Sequence, residues 1–319
     1  MPHLVSICIP TYNGERWLGE AIASALGQTY EPVEILIVDD ASNDRTLDIV
    51  RSFRDRPIRV EVNPLNFGIV GNRNRCVTLS GGAFVKFLFQ DDILYPTCVE
   101  KMVRILENYE NAGMVFAPRD VLLENPDDSV AVAWKRFSKL YQNYHLGEVN
   151  SGIDLFRMWL ADGFLENWIG EPSNVLLRKS SIEKVGLFNL KTRSCSDFEM
   201  WIRMMYYYDV GFVNEPLSCF RVHSSSTGRK MEERNFGWLD RVWLLEGLLE
   251  DKSCLENYPR IKQLRDEAAR VAILHMLHLY RRQSSPLLFA ARSFTEYCLY
   301  RGRRWIHYAP SIHGSFEGN

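Results

Sequence analysis

The sequence lacks the long hydrophobic runs and paired cysteines that mark membrane-spanning and disulfide-bonded proteins. No window of about 18 uncharged apolar residues occurs, and the best stretch, Val271 to Tyr280, is too short to span a bilayer. The first strand-like run begins by Leu4 with no basic region and long apolar stretch before it, so we expect no signal peptide. The seven cysteines are scattered and form no C-x-x-C pair, which predicts reduced thiols in a cytosolic protein.

Three catalytic motifs are also absent. No G-x-G-x-x-G follows the first predicted strand, which disfavours a nicotinamide-dependent dehydrogenase. The chain has neither a G-x-x-x-x-G-K-[ST] phosphate loop nor a G-x-S-x-G nucleophile elbow. These absences exclude a P-loop NTPase and give no support to an α/β-hydrolase.

The composition is that of a folded and nearly neutral chain. Its 319 residues are 46% hydrophobic and 24% charged, so the chain can bury a large core and is not disordered. The net charge of −2 argues against a dedicated nucleic-acid binder, whose domain should be basic. The charge is uneven, because residues 257–319 carry 10 Lys and Arg against 4 Asp and Glu, which leaves −8 on residues 1–256.

The basic C-terminal part has two explanations that the sequence leaves open. The clusters Arg281-Arg282 and Arg301–Trp305 could contact an anionic membrane surface from the cytoplasmic side. The alternatives are ordinary solvated helix faces or a contact within a homodimer. The sequence therefore predicts a cytoplasmic protein with peripheral membrane contact as one option.

The first 120 residues alternate strand and helix patterns. Short apolar runs such as Ile35–Val38 and Phe84–Phe89 are separated by segments with helical spacing, such as Trp17–Leu26. Continuous apolar strands separated by helices predict an α/β fold whose mostly parallel sheet is covered by helices on both faces. Ligands of such sheets bind outside the carboxyl ends of the strands.

Polar residues follow three of the predicted strands. They are Pro10-Thr11-Tyr12-Asn13, Asp39-Asp40 and Gln90-Asp91-Asp92. Two acidic pairs at one sheet edge repel each other unless a cation or hydrogen-bond donors neutralise them. The sequence therefore predicts a ligand site at this edge.

The pattern loosens beyond residue 125 and then recovers. Ser173–Leu177 is a predicted strand, Phe198–Tyr206 has the spacing of a helix face, and the run Ser224–Gly228 is typical of a loop. The predicted C-terminal helices are Trp238–Leu249, Ile261–Tyr280 and Leu287–Tyr300. We therefore divide the chain into an α/β domain of residues 1–228, with halves 1–120 and 121–228, and a helical region of residues 229–319.

A series of motifs runs through roughly residues 4 to 225 in a fixed order. They are Val5–Asn13, Glu34–Ser42, Phe87–Asp92, Glu171-Pro172-Ser173, Ser196–Trp201 and Phe220–His223. Each motif is weak alone, but together they resemble the family 2 inverting glycosyltransferases. The resemblance implies a GT-A fold, in which a nucleotide-binding α/β sheet is joined to an acceptor-binding half. It also implies a nucleotide-sugar donor and a Mn²⁺ or Mg²⁺ ion.

The resemblance assigns Pro10, Tyr12 and Asp40 to the nucleoside pocket of the donor. Tyr12 could stack on the base, and Asp40 could accept a hydrogen bond from a base N–H. The alternatives are that Tyr12 packs inside the protein and that Asp40 caps the helix after Ala41-Ser42. Uridine donors are the commonest in the family, so a UDP-sugar is favoured, although the base does not follow from the sequence.

The metal candidates are Asp91, Asp92 and His223. Mg²⁺ and Mn²⁺ are bound by one or two carboxylates plus substrate phosphates. The resemblance makes Asp92 the direct ligand, gives Asp91 either the ribose or a water-mediated metal contact, and places a histidine near His223. Many members have an Asp where this chain has Phe89, or a D-x-D motif that Gln90 does not complete, so the coordination set is reduced here. The alternative for the acidic pair is an Asx turn.

The resemblance makes Asp197 the general base. An acceptor hydroxyl must lose its proton as it attacks the anomeric carbon, so a carboxylate is needed beside it. The alternative is a capping box formed by Ser196 and Glu199, with Asp197 in the first helical turn. A helix N-terminus would keep Asp197 ionised but would weaken it as a base.

Other residues have weaker assignments. Glu171 and Ser173 are candidates for the acceptor pocket, with a turn at the start of a strand as the alternative. Arg73 could pair with a donor phosphate or be a solvated helix residue. Four aromatic residues are expected to pack locally and not to form a sugar platform: Trp134, Phe137, Tyr141 and Tyr144.

These residues together predict a metal-dependent inverting glycosyltransferase that acts on a glycan or lipid-linked acceptor, with a bacterial surface polysaccharide as the expected product. A non-catalytic GT-A-like protein that binds a nucleotide or sugar is one alternative, favoured by the reduced motif at Phe89–Asp92. A sugar nucleotidyltransferase is the other, but it should have a glycine-rich phosphate loop where this chain has Pro10-Thr11-Tyr12-Asn13.

Overall fold

The α/β architecture extends to Val222 in a computed structural model, which describes residues 2–124, 134–192, 194–223 and 237–281. The strands are β1 (Val5–Thr11), β2 (Val33–Asp39), β3 (Ile58–Val62), β4 (Phe84–Phe87), β5 (Ile93–Leu94), β6 (Ala112–Phe116), β7 (Arg119–Leu123), β8 (Val149–Asn150), β9 (Val175–Arg178), β10 (Asp209–Phe212) and β11 (Ser218–Val222). The α-helices are α1 (Leu18–Leu26), α2 (Thr46–Arg51), α3 (Gly68–Leu79), α4 (Cys98–Asn108), α5 (Gly152–Ala161), α6 (Lys179–Val185), α7 (Ser196–Tyr207), α8 (Gly237–Glu250), α9 (Lys252–Asn257) and α10 (Arg260–Arg281). Short 3₁₀ helices span Leu140–Asn143 and Pro172–Asn174.

The main sheet has eight strands in the order β3-β2-β1-β4-β9-β6-β10-β8. β1 pairs in parallel with β2 and β4, β2 with β3, and β6 with β10. β9 is antiparallel to both of its neighbours, and β8 is antiparallel to β10. The predicted parallel sheet is therefore confirmed for β1 to β4, while the other half is mixed.

The antiparallel direction of β9 brings the start of this strand to the edge where β1, β2 and β4 end. Lys86 near the end of β4 pairs with Leu176 near the start of β9. The residues that precede β9, from Glu171 to Asn174, therefore lie beside the loops that follow the parallel strands.

A second sheet of three strands, in the order β5-β11-β7, completes this edge. β11 runs antiparallel to β5, with Ser218 opposite Leu94 and Cys219 opposite Ile93. Because β5 directly follows Asp91 and Asp92, the end of β11 runs back toward the acidic pair.

Two clusters of buried side chains cover the two faces of the main sheet. Alternate residues of β1 belong to different clusters, with Ile7 and Ile9 on one face and Cys8 on the other, as a period of two requires. Helices α1, α2 and α4 cover the first face. The other face is covered by α3, α5, α6 and α7, and α8 and α10 add buried residues to the same cluster.

The C-terminal helices are therefore packed on the α/β domain, and the boundary at residue 228 stays a prediction. The loop at Ser224–Gly228, the helix at Leu287–Tyr300 and the basic cluster Arg301–Trp305 lie outside the described residues. Among the helices of the described ranges, none combines the length and apolar character needed to cross a bilayer. Six of the cysteines lie in these ranges, and all six are free thiols.

Candidate active site

A cavity of about 760 Å³ opens at the carboxyl edge of the main sheet. The predicted site residues that line it are Pro10, Tyr12, Asp40, Arg73, Asp91, Glu171 and Asp197. The others, Asp92, Ser173 and His223, are buried beside it and are not part of its lining. The fold thus brings the sheet-edge motifs of the first half and Asp197 of the second half into one cavity.

Tyr12 and Asp40 lie on the side of the cavity formed by the ends of β1 and β2. The Tyr12 side chain is 45% exposed, which contradicts internal packing and leaves its ring accessible to a planar ligand. Asp40 is buried and accepts hydrogen bonds from the backbone N–H groups of Phe67 at 2.8 Å and Gly68 at 2.9 Å. It therefore binds the start of α3 and not the helix after Ala41-Ser42, so the capping alternative named the wrong helix.

Gln90 joins the loop after β4 to the loop after β1. Its Oε1 accepts from the Tyr12 backbone N–H at 2.8 Å, and its Nε2 donates to the Tyr12 carbonyl at 3.2 Å. Gly14 leaves the space for this amide, because a Cβ there would lie 2.4 Å from Gln90 Oε1. The residue that interrupts the expected acidic motif therefore holds the backbone of Tyr12.

Asp91 and Asp92 point in different directions. The Asp91 carboxylate faces the cavity and lies 3.0 Å from His223 Nε2. Asp92 is 1% exposed, and its carboxylate accepts from Ser173 Oγ at 2.6 Å and from the Arg221 backbone N–H at 3.1 Å. The role of Asp92 as direct metal ligand is untested, but the described geometry presents Asp91 to the cavity instead.

Asp92 belongs to a buried polar network behind the cavity. Burial and the neighbouring charge of Asp91 raise the pKa of the Asp92 carboxyl well above its usual range. Ser173 Oγ also accepts from the Phe89 backbone N–H at 3.1 Å. Lys86 Nζ donates to the Ser173 carbonyl, and burial lowers the pKa of this lysine. Ser173 thus fixes the acidic loop from behind, and its hydroxyl does not reach the predicted acceptor pocket.

His223 follows the end of β11 and is held beside Asp91. Its ring packs against Trp17 with the ring centroids 4.1 Å apart. Arg221, two residues earlier, donates from Nε to the Asp91 carbonyl at 3.0 Å and from Nη2 to Glu20 at 2.7 Å. One strand therefore supplies both the backbone donor for Asp92 and the imidazole beside Asp91.

A divalent cation fits the residues at this position. A carboxylate and an imidazole are both ligands of Mn²⁺, and Mg²⁺ or Mn²⁺ in nucleotide enzymes takes its remaining ligands from phosphates and water. Among the described residues, no three His, Cys, Asp or Glu side chains are grouped so that they could enclose a metal. Asp91 and His223 would therefore hold the ion together with a diphosphate.

Asp197 lies in the first turn of α7 and faces the cavity. Burial raises the pKa of its carboxyl to about 6, although Arg73 and the Phe198 backbone N–H act in the opposite direction and Glu171 adds a smaller increase. The backbone N–H groups at the start of the helix lower the pKa of Asp197, as expected of a helix N-terminus, but burial outweighs them. A carboxyl with this pKa is ionised at neutral pH and still accepts a proton readily.

Arg73 lies on α3 and is 4% exposed, so the solvated-helix alternative is wrong. Its Nη2 donates to Ser196 Oγ at 2.7 Å, and its guanidinium lies 5.0 Å from the centre of the Phe188 ring. Burial lowers the pKa of Arg73, while the negative charge of Asp197 acts in the opposite direction. Arg73 lines the cavity and supports the residue before Asp197, and the phosphate contact stays a prediction.

The capping-box alternative for Ser196 and Glu199 is wrong. Cys195 is the N-cap residue of α7, and no side-chain hydrogen bond caps this helix. The Ser196 hydroxyl accepts from Arg73, and Glu199 forms an ion pair with Arg203 at 2.8 Å one turn along the helix. The local pattern matches a capping box, but tertiary partners take both side chains.

Glu171 lines the cavity as an ion pair with Arg119. Arg119 Nε lies 2.7 Å from Glu171 Oε2, and Arg119 Nη2 donates to Oε1 at 3.0 Å. Asn174 Nδ2 donates to the same carboxylate at 3.2 Å. Both side chains of the pair are largely buried, so Glu171 is a fixed polar group on the wall that also carries Asp197.

All four aromatic residues pack locally, as expected, and two of them also line the cavity. Tyr144 stacks on Trp168 at 4.3 Å and Tyr141 contacts Phe212 at 5.6 Å, as expected of packing residues. Trp134 and Phe137 pack on each other, with ring centroids 6.0 Å apart, and Trp134 also contacts Phe220 at 5.1 Å. Trp134, Phe137 and Phe220 all line the cavity, so part of its lining is an aromatic surface.

Three functional contacts were missed at the sequence level, those of Gln90, Arg119 and Arg221. The sequence did contain an indication for Arg221, because residues two apart on a strand lie on the same face and His223 was already a candidate. Gln90 was read as a defect in a motif, and Arg119 had no pattern because its partner Glu171 lies 52 residues away. Contacts between residues so far apart in the sequence are determined by the tertiary structure and leave no local pattern.

Comparisons with known proteins agree with this geometry. The family model of glycosyl transferase family 2 matches residues 6–186. An uncharacterized glycosyltransferase of Rickettsia typhi is 30% identical over 230 residues, covering 70% of this chain and 65% of the relative. The Escherichia coli UDP-Glc:alpha-D-GlcNAc-diphosphoundecaprenol beta-1,3-glucosyltransferase WfgD is 31% identical over 154 residues, covering 48% of this chain and 60% of the relative. The chain thus spans less than two thirds of the length of either relative.

The fold also matches a solved structure. The mannosyltransferase PcManGT from Pyrobaculum calidifontis, in complex with GDP-Man and Mn²⁺, superposes with a TM-score of 0.51. The match covers 96% of this chain and 83% of that chain, at 16% identity. At this identity the likeness concerns the fold alone.

Proposed function

The chain belongs to glycosyl transferase family 2, and on that premise we propose that it transfers a sugar from a nucleotide-sugar donor to an acceptor hydroxyl with inversion at the anomeric carbon. One observation carries the proposal: the acids of the sheet edge and Asp197 line the same cavity. A donor bound at the sheet-edge acids and an acceptor bound at Asp197 would meet in this cavity.

The donor side of the proposal rests on Tyr12, Asp40 and Asp91. The exposed Tyr12 ring offers a stacking surface for the base, and Pro10 lines the cavity next to it. Asp40 already accepts from two backbone N–H groups and from Asn63 Nδ2 at 2.8 Å, so a contact with the base would use the lone pair left on Oδ2. WfgD is named for a UDP-sugar and PcManGT was crystallised with a GDP-sugar, so the nucleotide base stays open, with uridine favoured.

Asp91 and His223 are the residues that would hold a Mn²⁺ or Mg²⁺ ion. When bound, such an ion offsets the negative charge that develops on the departing diphosphate. Asp92, Ser173 and Arg221 would keep the Asp91 loop and the His223 strand in register, since their hydrogen bonds join the two.

Asp197 would remove the proton from the attacking hydroxyl. The reaction forms a bond from the acceptor oxygen to the anomeric carbon and breaks the bond from that carbon to the diphosphate, which leaves with the electron pair. The proton passes to Asp197, whose pKa of about 6 suits a base that works near neutral pH. Glu171, held by Arg119, would contact the acceptor on the same wall.

The acceptor class is a glycan or a lipid-linked sugar. The aromatic surface of Trp134, Phe137 and Phe220 gives an apolar face against which a sugar ring can lie. WfgD carries a lipid diphosphate acceptor in its name, which supports a role in surface polysaccharide assembly. Membrane contact through the basic C-terminal residues and a homodimer stay predictions, since the clusters concerned lie almost entirely outside the described residues.

A donor panel tests the proposal. The protein is incubated with UDP- and GDP-sugars, Mn²⁺ and lipid-diphosphate sugar acceptors, and the release of nucleoside diphosphate is measured. We expect release from one class of donor that depends on both metal and acceptor, with an inverted anomeric configuration in the product by NMR. If no donor turns over but a nucleotide still binds with metal, the non-catalytic alternative is correct. Release of pyrophosphate from a sugar phosphate and a nucleoside triphosphate would identify a nucleotidyltransferase.

A further inference from the structure

Helix α8 contacts the loop that precedes the proposed base. Asp240 on this helix is 3% exposed, and its Oδ2 accepts from both the backbone N–H and the Oγ of Ser194, the latter at 2.5 Å. Ser194 lies three residues before Asp197 and lines the same cavity. A buried carboxylate from the C-terminal helices therefore binds the backbone of the active-site loop.

Helix α8 is itself fixed against α7. Its residues Val242, Leu244, Leu245 and Leu248 are buried in the same cluster as Phe198, Met200 and Trp201 of α7. Gly247 is in close contact with this helix, because a Cβ there would lie 2.9 Å from Glu199 Oε1. On its other side, Glu246 accepts from the buried Arg265 of α10. A shift of α8 would therefore move the whole helical region together with α7.

The short segment from Ser194 to Asp197 is thus held from two directions. Asp240 of α8 binds Ser194, and Arg73 of α3 binds Ser196. Cys195, between them, caps α7 without a side-chain hydrogen bond of its own. The segment that leads into Asp197 is therefore held by side chains from two different elements, while the carboxylate itself accepts from the Phe198 N–H at 2.8 Å.

We propose that Asp240 is a positioning residue for Asp197, and that the helices of residues 237–281 are therefore part of the catalytic apparatus. These helices lie beyond residues 6–186, which the family model matches. The inference rests on the proposed role of Asp197 as the base. A small displacement of a catalytic group lowers the rate of the chemical step while leaving donor binding intact.

The test compares Asp240→Ala and Asp240→Asn with a matched control, Asp251→Ala. Asp251 caps α9, accepts from Ser253 N–H at 2.9 Å and Cys254 N–H at 3.3 Å, and also accepts from the Tyr207 hydroxyl at the last residue of α7, so its loss removes hydrogen bonds to the same helices at the end of α7 away from Asp197. We expect Asp240→Ala to lower kcat by about tenfold or more with the KM for the donor within about twofold. Asp240→Asn, which keeps an acceptor oxygen, should restore most of kcat. Asp251→Ala should leave kcat within about twofold at a comparable loss of melting temperature.

Amide hydrogen exchange separates failure of this inference from failure of the proposed function. We expect the amides of residues 194–198 to exchange faster in Asp240→Asn and faster still in Asp240→Ala, whatever the role of Asp197. If exchange in this segment is unchanged, or if KM rises while kcat stays constant, the inference is overturned. If exchange increases but Asp197→Asn still transfers sugar, the contact of Asp240 is confirmed and the assignment of the base is wrong.

Discussion

The two walls of the cavity hold their carboxylates in different ways. On the wall formed by the strand ends, which we call the donor wall, Asp40 is bound directly by backbone N–H donors, and Asp92, buried behind this wall, is bound by Ser173 Oγ and the Arg221 N–H. On the wall formed by the start of α7, which we call the base wall, Asp197 accepts from the adjacent Phe198 N–H, and the segment before it is held by Arg73 and Asp240. The difference fits the proposed roles, because donor binding would need a fixed surface, whereas a base would need an oxygen free to take a proton.

The comparison assigns different kinetic effects to the two walls. Changes on the donor wall should alter metal and donor binding, which appear in Kd and KM. Changes on the base wall should alter the chemical step, which appears in kcat.

The largest effect is expected for Asp197→Asn. Removal of a general base should lower kcat by roughly 10³-fold, while the affinity for nucleoside diphosphate and Mn²⁺ stays unchanged. The same variant should melt at a higher temperature at pH 8. The folded pKa of about 6 lies above the ordinary value of 3.8, so ionisation of Asp197 costs stability as pH rises through this interval, and an amide avoids that cost. Full transfer by Asp197→Asn would place the base elsewhere.

The second-largest effect is expected on Mn²⁺ binding, when Asp91 and Asp92 are replaced one at a time. Asp91→Asn should weaken Mn²⁺ binding by roughly 100-fold, whereas Asp92→Asn should weaken it by about tenfold at most, since Asp92 acts through Ser173 and Arg221. The two variants are matched controls, because each removes one charge from adjacent residues. Mn²⁺ titrations followed by electron paramagnetic resonance, with nucleoside diphosphate present, give both affinities. If Asp92→Asn weakens Mn²⁺ binding more than Asp91→Asn does, Asp92 is the direct ligand.

The donor wall was largely predictable from the sequence because its signals are local. Tyr12, Asp40 and Asp91 each follow an apolar strand, and parallel strands bring such positions to one edge. The order within the acidic pair was not predictable. Which of two consecutive carboxylates faces the cavity is decided by Ser173 and Arg221, which are 81 and 129 residues away from Asp92.

The base wall was predictable only as a motif. The resemblance located Asp197, but not its raised pKa, which depends on burial by elements far along the chain. Arg73 reaches Ser196 across 123 residues, and Asp240 reaches Ser194 across 46. The antiparallel direction of β9 was not predictable either, because a short apolar run has the same pattern in a parallel and in an antiparallel strand.

The pH dependence of transfer is the third way to test the comparison. Asp197 must be ionised to act as a base, so kcat should be constant above about pH 7 and fall about tenfold for each pH unit well below 6. Because Arg73 lowers the pKa of Asp197, Arg73→Gln should move this acidic limb to higher pH. The dependence of kcat on pH is measured with saturating Mn²⁺ and donor. Under these conditions binding does not limit the rate, so the profile reports on the base wall. An acidic limb that appears in metal binding and not in kcat would assign it to the donor wall.

The smallest expected effect is that of Gln90→Ala. Loss of the two hydrogen bonds between Gln90 and the Tyr12 backbone should raise the donor KM by about fivefold, because each such bond contributes about 1 kcal/mol and the loop can partly adjust. Gln28→Ala is the control, since Gln28 also uses its amide to join two segments, at Tyr95 O and Val99 N, and does not line the cavity. We expect the control to change the melting temperature but not KM. If Gln90→Ala instead lowers kcat and leaves KM unchanged, the loop after β4 acts on the chemical step, and the two walls do not have separate functions.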